Sequence, residues 1–203
     1  MTLVLHDNAL SSNAQKVRFL LAELGQTAEL REVPLARPRP DWHLAVNPLG
    51  GIPAIVWDGF PLAESNTVLR FLATRSGDTS IYPSDLPDRA TVNWLLDAVT
   101  TSLRPALRPI ERAARGPDGS ERDAEAALAA ALPTLQAFER LIDDSSPWAC
   151  CGRFTIADVA ATPVLHRLRR SGLSPSGIPR LAEWSAACCE RPAWMSVAAA
   201  AGI

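Results

Sequence analysis

The apolar residues in the first part of the chain switch between two spacings. Residues 2 to 6 form a short β-prone run. The segment that follows has the i, i+3, i+4, i+7 spacing of an amphipathic helix, carried by Val17, Leu20, Leu21 and Leu24. Gly25 then stops the helix, and residues 28 to 33 form a second β-prone run. This pattern predicts a βαβ unit with a parallel pair of strands.

A proline-rich loop leads from this unit to a short helix and then to a predicted hairpin. Two apolar runs, 54 to 57 and 60 to 62, flank the dipeptide Asp58-Gly59, which is typical of a tight hairpin turn. Ser65 precedes the next helical pattern, so we predict that it caps that helix. The element order β-α-β-α-β-β-α predicts an α/β domain.

The pattern changes after this helix. Residues 76 to 87 are rich in Ser, Asp, Gly and Pro and indicate a linker. The rest of the chain has only helical periodicity. We therefore predict an α/β domain over residues 1–78, a linker over 79–87 and an all-helical domain over 88–203.

Composition excludes several classes of partner. The chain has 203 residues and a net charge of -2, so its size allows a substantial core and its charge gives no strong field for nucleic acid or anionic membrane. No apolar run is long enough to cross a bilayer and no signal peptide opens the chain, so we expect a cytoplasmic protein. The vicinal pairs Cys150-Cys151 and Cys188-Cys189 lack metal-ligand spacing, so we expect reduced thiols packed in helices, and no metal.

Several stretches resemble motifs of the cytosolic glutathione transferase family and occur in the same order. Residues 10 to 18 are similar to the first βα turn of its serine-type members, the theta, delta and zeta classes. Residues 47 to 54 are similar to its cis-proline loop, and residues 62 to 69 to its L-x-E-S-x-x-I element. Residues 154 to 158 and 178 to 184 resemble its capping box and closing helix. The resemblance implies a thioredoxin-like N-terminal domain followed by an all-α C-terminal bundle.

This resemblance implies that the protein binds glutathione and ionises its thiol. A thiol of pKa about 8.5 is mostly protonated at neutral pH, and a hydroxyl that donates to the sulfur near a helix N-terminus favours the thiolate. Ser11 stands at the catalytic position of the serine-type members, and Ser12 is the other candidate. Both serines would alternatively serve only as helix caps. Tyrosine- and cysteine-type chemistry is disfavoured, because the sole tyrosine is Tyr82 and residues 7 to 13 contain no cysteine.

The resemblance also assigns contacts to glutathione. It implies a cis bond at Ile52-Pro53, which would turn the backbone of Ile52 towards the cysteinyl part of the ligand. Glu64 would accept from the ligand's ammonium, and Ser65 with the helix N-terminus would hold its α-carboxylate. The chemically simpler alternatives are a loop proline and a surface carboxylate beside a helix cap.

The glycyl carboxylate of glutathione needs a cation. Arg39 is our first candidate in the proline-rich loop, where Arg37 and His43 are the alternatives. Thr155 and Asp158 have the spacing of a capping box, for which we expect a structural role.

Three functions fit these predictions. The first is a transferase that conjugates glutathione to a small apolar electrophile. The second is a glutathione-dependent isomerase that resembles the maleylacetoacetate isomerases of the zeta class, and the third is a non-catalytic binding module with the same fold. The resemblance also implies a homodimer.

Overall fold

The computed structural model describes residues 2–115, 121–172 and 176–203, which form two compact units. The first unit comprises Met1–Tyr82 together with Pro192–Ile203, and the second comprises Pro83–Arg191. The first unit contains β1 (Leu3–Asp7), α1 (Ser12–Glu23), β2 (Glu29–Glu32), α2 (Asp41–Leu44), β3 (Ala54–Trp57), β4 (Phe60–Ala63) and α3 (Ser65–Ser76). The second contains α4 (Leu86–Ala98), a π-helical turn (Val99–Leu103), α5 (Arg104–Arg115), α6 (Glu121–Leu141), α7 (Ile156–Arg170) and α8 (Pro179–Cys189), and α9 (Pro192–Ala200) returns to the first unit.

The first unit is built on a four-stranded sheet in the order β2-β1-β3-β4. β1 and β2 are parallel, as the βαβ pattern predicts, while β3 is antiparallel to both β1 and β4. The turn between β3 and β4 has positive φ at Asp58 (45°) and Gly59 (85°), the backbone that a two-residue hairpin turn requires. The α/β arrangement predicted from the sequence is therefore confirmed.

The last helix departs from the predicted domain limits. The division into residues 1–78, 79–87 and 88–203 stays a prediction about domains, but the compact units group α9 with the first unit. The buried ring of Trp194 packs edge-on against the buried ring of Phe19 in α1, with centroids 5.6 Å apart. Helical periodicity alone does not reveal this pairing, because it records that a helix has an apolar face without naming the partner.

The start of α3 differs from the prediction that Ser65 caps this helix. The N-cap is Glu64, which has φ 67° and makes no capping hydrogen bond through its side chain. Ser65 is the first helical residue and is buried. The antiparallel pairing of β4 brings the chain into the helix through Glu64, so the turn occurs one residue earlier than the sequence indicates.

In the second unit, α4, the π-helical turn and α5 follow one another without a break. Pro105 has no N–H to donate to the carbonyl of Thr101, and its ring crowds that carbonyl, so regular α-helical bonding is lost there. The widened turn directly precedes Arg104. Within the described ranges, none of the helices is long and apolar enough to cross a membrane.

A buried capping box organises the second unit. Thr155 is the N-cap of α7, and its backbone N–H donates to Asp158 Oδ2 at 2.7 Å. Asp158 Oδ1 accepts from the backbone N–H of Ala149 at 2.9 Å and from Trp184 Nε1 at 2.8 Å. Burial raises the pKa of Asp158, and the donated hydrogen bonds oppose that rise. One carboxylate therefore connects α7 to the preceding turn and to α8.

The four cysteines are free thiols. Cys188 and Cys189 lie in α8 as expected, whereas Cys150 and Cys151 occupy a turn, where Cys151 has φ 60°. Burial is the largest cause of the raised pKa of each thiol. These cysteines are therefore poor nucleophiles, since the thiolate is the reactive form.

Candidate active site

The predicted glutathione contacts come from loops at one end of the sheet. His6 of β1 pairs with Ala54 of β3, and Ala54 pairs with Ala63 of β4. The chain leaves β1 towards Ser11, enters β3 from Ile52-Pro53 and leaves β4 into Glu64 and Ser65. Because β3 runs antiparallel to the other two strands, all three connections emerge at the same end of the sheet.

A hydrogen-bonded turn places Ser11 at the start of α1. Asn8 anchors this turn, because its side-chain amide donates to the carbonyl of Val33 at 3.0 Å and its carbonyl accepts from the Ser11 N–H at 2.9 Å. Ser11 is the N-cap of α1, and its Oγ accepts from the N–H of Ala14 at 3.4 Å. The Ser11 hydroxyl proton has no acceptor among the described residues, so capping leaves it available for a ligand. Ser12 is the first helical residue and is buried.

The Ile52-Pro53 bond is cis, and the loop before it is held from two directions. The carbonyl of Gly51 accepts from Asn47 Nδ2 at 2.9 Å and from His43 Nε2 at 3.0 Å. Neither backbone group of Ile52 is hydrogen-bonded to another described residue, so both remain available for an extended ligand.

Two buried histidines hold the loop before Ile52-Pro53 in place. His6 Nδ1 and His43 Nδ1 lie 3.0 Å apart, and both residues are at most 1% exposed. The bond of His43 to the Gly51 carbonyl requires a proton on Nε2, so in the neutral pair His43 Nδ1 accepts and His6 Nδ1 donates. Burial lowers the pKa of His6 to about 4, and burial also lowers the pKa of His43. Two protonated rings would place hydrogens on both Nδ1 atoms and break this contact.

We expect the free energy of unfolding to fall as the pH drops from 6.5 towards 4. In that range the histidines are protonated in the unfolded chain but stay neutral in the folded protein. The folded state therefore keeps its full stability above the histidine pKa of the unfolded chain and loses stability below it. Each histidine contributes a slope of up to about 1.4 kcal/mol per pH unit. Urea unfolding at a series of pH values should give a shallower slope for His6→Gln than for wild type, while His166 contributes equally to both. Equal slopes would contradict the assignment.

The residues proposed for the γ-glutamyl end of glutathione lie at the start of α3. The carboxylate of Glu64 is exposed and makes no hydrogen bond or ion pair with a described residue. The side chain of Ser65, beside it, likewise makes no hydrogen bond within the described ranges. The first N–H groups of α3 point out of this end of the helix, where they and the helix dipole favour an anion. An exposed acceptor therefore adjoins a helix terminus whose dipole favours an anion.

The cation candidates have different surroundings. Arg39 Nε donates to the carbonyl of Gly50 at 3.0 Å, and its Nη1 donates to the carbonyls of Ala36 and Pro34. Arg39 therefore holds its own loop together, and its role towards the glycyl carboxylate stays a prediction. His43 is wrong as a candidate, because it is fully buried and bonded to Gly51 and His6. Arg37 is exposed and has no hydrogen-bonding or ion-pair partner among the described residues.

Comparison with known proteins identifies the family. The family model of the glutathione S-transferase N-terminal domain matches residues 10–75, and that of the C-terminal domain matches residues 121–187. A maleylacetoacetate isomerase of Rhizobium meliloti (strain 1021) is 31% identical over 188 residues, which cover 88% of this chain and 87% of that protein. The chain belongs to the glutathione S-transferase family.

Other family members are similar over most of their length. Glutathione S-transferase GstA of Escherichia coli O157:H7 is 29% identical over 90% of this chain and 91% of its own. The apo form of human glutathione-S-transferase T1-1 superposes with a TM-score of 0.84 at 26% identity, covering 98% of this chain and 89% of its own. The fold class is therefore that of a glutathione S-transferase, with a thioredoxin-like α/β part and a helical part.

Two arrangements at the site were missed by sequence reasoning. The His6–His43 pair joins residues that are 37 positions apart, and no local pattern connects them. Asp7 and Arg18 form an ion pair at 2.9 Å between the end of β1 and α1. Burial raises the pKa of Asp7, and Arg18 partly offsets this effect. Only the i, i+11 spacing across a predicted strand and helix could have suggested this second contact.

Proposed function

We propose that the protein is a glutathione transferase that conjugates the glutathione thiolate to an electrophilic carbon of a small apolar compound. The observation that carries this proposal is the strand register, because it brings the loops of Ser11, Ile52 and Glu64 to one end of the sheet. The backbone N–H and C=O of Ile52 would pair with the cysteinyl part of glutathione. The Glu64 carboxylate would bind the ammonium of the γ-glutamyl part, and Ser65 with the N-terminus of α3 would bind its carboxylate. Sulfur would then lie near Ser11.

The proposed reaction needs only this arrangement. The Ser11 hydroxyl donates a hydrogen bond to sulfur, and the positive end of α1 adds to its effect, so the pKa of the bound thiol falls and its proton passes to solvent. The thiolate forms a C–S bond to the electrophile, and the leaving group departs with the electron pair of the broken bond. Ser11 keeps its proton throughout.

Isomerisation is the alternative that one specific observation favours, namely the similarity to maleylacetoacetate isomerase. In that reaction the thiolate adds to the substrate and is expelled again, so glutathione is not consumed.

We also propose that the protein is a homodimer located in the cytoplasm. Light scattering on the purified protein tests the dimer.

Two measurements test the proposed function. Calorimetry should detect glutathione binding in the millimolar range or tighter, and chlorodinitrobenzene should be conjugated with loss of chloride and of free glutathione. Turnover of an isomerisable substrate without loss of glutathione would favour the isomerase. Binding without any turnover would favour the non-catalytic module, and absence of binding at millimolar glutathione would overturn all three.

Glu64→Gln should weaken glutathione binding about tenfold, because a neutral amide attracts the ligand's ammonium less than a carboxylate does. Calorimetry measures this loss directly. Glu29→Gln is the matched control, since Glu29 is also exposed but begins β2 at the opposite end of the sheet. Equal affinities of the two variants would remove Glu64 from the site.

A further inference from the structure

Three arginines of α5 line one cavity in the second unit. Arg104, Arg108 and Arg112 follow one another at a spacing of four residues, with Pro105 and Pro109 between them, and these five residues line a cavity of about 280 Å³. Four residues of α-helix rise about 6 Å, so the three guanidinium groups form a ladder along one face of the helix. We call this set the arginine ladder.

No carboxylate of the described residues forms an ion pair with the ladder. Within the described ranges, none of its three arginines makes an ion pair or a hydrogen bond. The carboxylate nearest in sequence, Glu111, is committed to Arg167 at 2.9 Å. Like charges four residues apart on a helix destabilise it. Burial is the largest cause that lowers the pKa of Arg104; the charge of Arg108 lowers it further, and the carboxylate of Glu111 opposes that shift.

The helix geometry supports a binding role. Pro105 and Pro109 cannot donate backbone hydrogen bonds, and the π-helical turn ends immediately before Arg104. Such turns inside regular helices are frequent at functional sites. The π-helical turn and the two prolines each remove regular backbone hydrogen bonds and so destabilise the helix. A helix face that only contacts solvent does not require them. The irregular helix and the unpaired charges occur at the same place.

We propose that the arginine ladder is a binding site for a small organic dianion that carries two carboxylates. Each planar guanidinium matches a carboxylate with two parallel hydrogen bonds, and successive rungs let one short molecule engage two arginines at once. The pocket, of about 280 Å³, has room for a molecule of a few carbon atoms. This inference goes beyond the proposed function, because it depends only on α5.

Calorimetric titration with maleate tests the inference. The protein is first saturated with S-methylglutathione, which fills the glutathione site without reacting, and failure of that first step would count against the proposed function alone. The maleate titration is then run with or without the analogue. We expect wild type to bind maleate, with an affinity that falls as salt is raised. We expect Arg108→Gln and Arg112→Gln each to bind it about tenfold more weakly.

Arg140→Gln is the matched control. Arg140 is an exposed arginine of α6 outside the ladder, so the variant loses the same charge and should bind maleate like wild type. Circular dichroism checks that the ladder variants, both at exposed positions, remain folded. Unchanged maleate affinity in Arg108→Gln and Arg112→Gln would overturn the proposal. Tighter binding of inorganic phosphate than of maleate would overturn the assignment to dicarboxylates.

Discussion

Ser11→Ala should lower kcat/KM for conjugation by about 10- to 100-fold and should raise the pKa of bound glutathione towards that of the free thiol. The expected loss is that of one hydrogen bond to a charged group, about 1.5–3 kcal/mol. The geometry permits this role because Ser11 Oγ uses a lone pair to cap α1 and keeps its proton for the ligand. The thiolate absorption in the ultraviolet, followed against pH, measures the pKa in the complex.

Two variants separate this effect from loss of the helix cap. Ser11→Thr keeps a hydroxyl and should retain most of the activity, whereas Ser12→Ala changes a buried neighbour that is not the cap. Ser11→Ala should also lower stability by about 1 kcal/mol through the lost cap, and urea unfolding measures that part separately. A normal thiol pKa shift in Ser11→Ala together with its loss in Ser12→Ala would move the thiolate donor to Ser12.

Asp158→Ala should destabilise the protein by about 4 kcal/mol or more. The variant leaves four buried donors without an acceptor: the N–H groups of Ala149 and Thr155, the Thr155 hydroxyl and the indole N–H of Trp184. Each buried unsatisfied donor costs about 1–3 kcal/mol. Because folded proteins are stable by only about 5–15 kcal/mol, this one change should remove much of the margin. Urea unfolding followed by tryptophan fluorescence measures the loss.

The neighbouring cap residue provides the comparison. Thr155→Ala removes a hydroxyl that accepts from the N–H of Ala157 and donates to Asp158 Oδ2 at 3.1 Å, so it should cost about 1–2 kcal/mol. Asp158→Asn keeps one acceptor oxygen but turns an amide group towards other donors, and its cost should fall between those of the two alanine variants. If Asp158→Ala costs no more than Thr155→Ala, the carboxylate does not connect α7 and α8 as described.

Local sequence signals were sufficient for most of the first unit. The parallel pair of β1 and β2 and the hairpin at Asp58-Gly59 follow from apolar spacing and turn chemistry, which act over a few residues. The exact start of α3 was not predicted, because it depends on where strand β4 ends. Ser65 is a good cap by composition, yet the exit from β4 made Glu64 the N-cap in its place.

The candidate site was predictable in part for the same reason. Ser11, Ile52-Pro53 and Glu64 stand in recognisable motifs, but no motif states that their loops meet. That meeting depends on the pairing of His6 with Ala54 and of Ala54 with Ala63. The cation assignments were the weakest, since a loop sequence does not reveal that Arg39 will bind the carbonyls of its own loop or that His43 will be buried.

The sequence by itself determined the element order, the family and the motif residues, because hydrophobic period, capping and turn formation are short-range effects. Only the tertiary structure decided which residues far apart in the sequence form hydrogen bonds, pack together or line the same pocket. It joined His6 to His43, attached α9 to α1 and placed three arginines of α5 around one pocket, where none of them forms an ion pair with a described residue. These outcomes depend on packing between segments far apart in the chain, and periodicity along the chain carries no information about such partners.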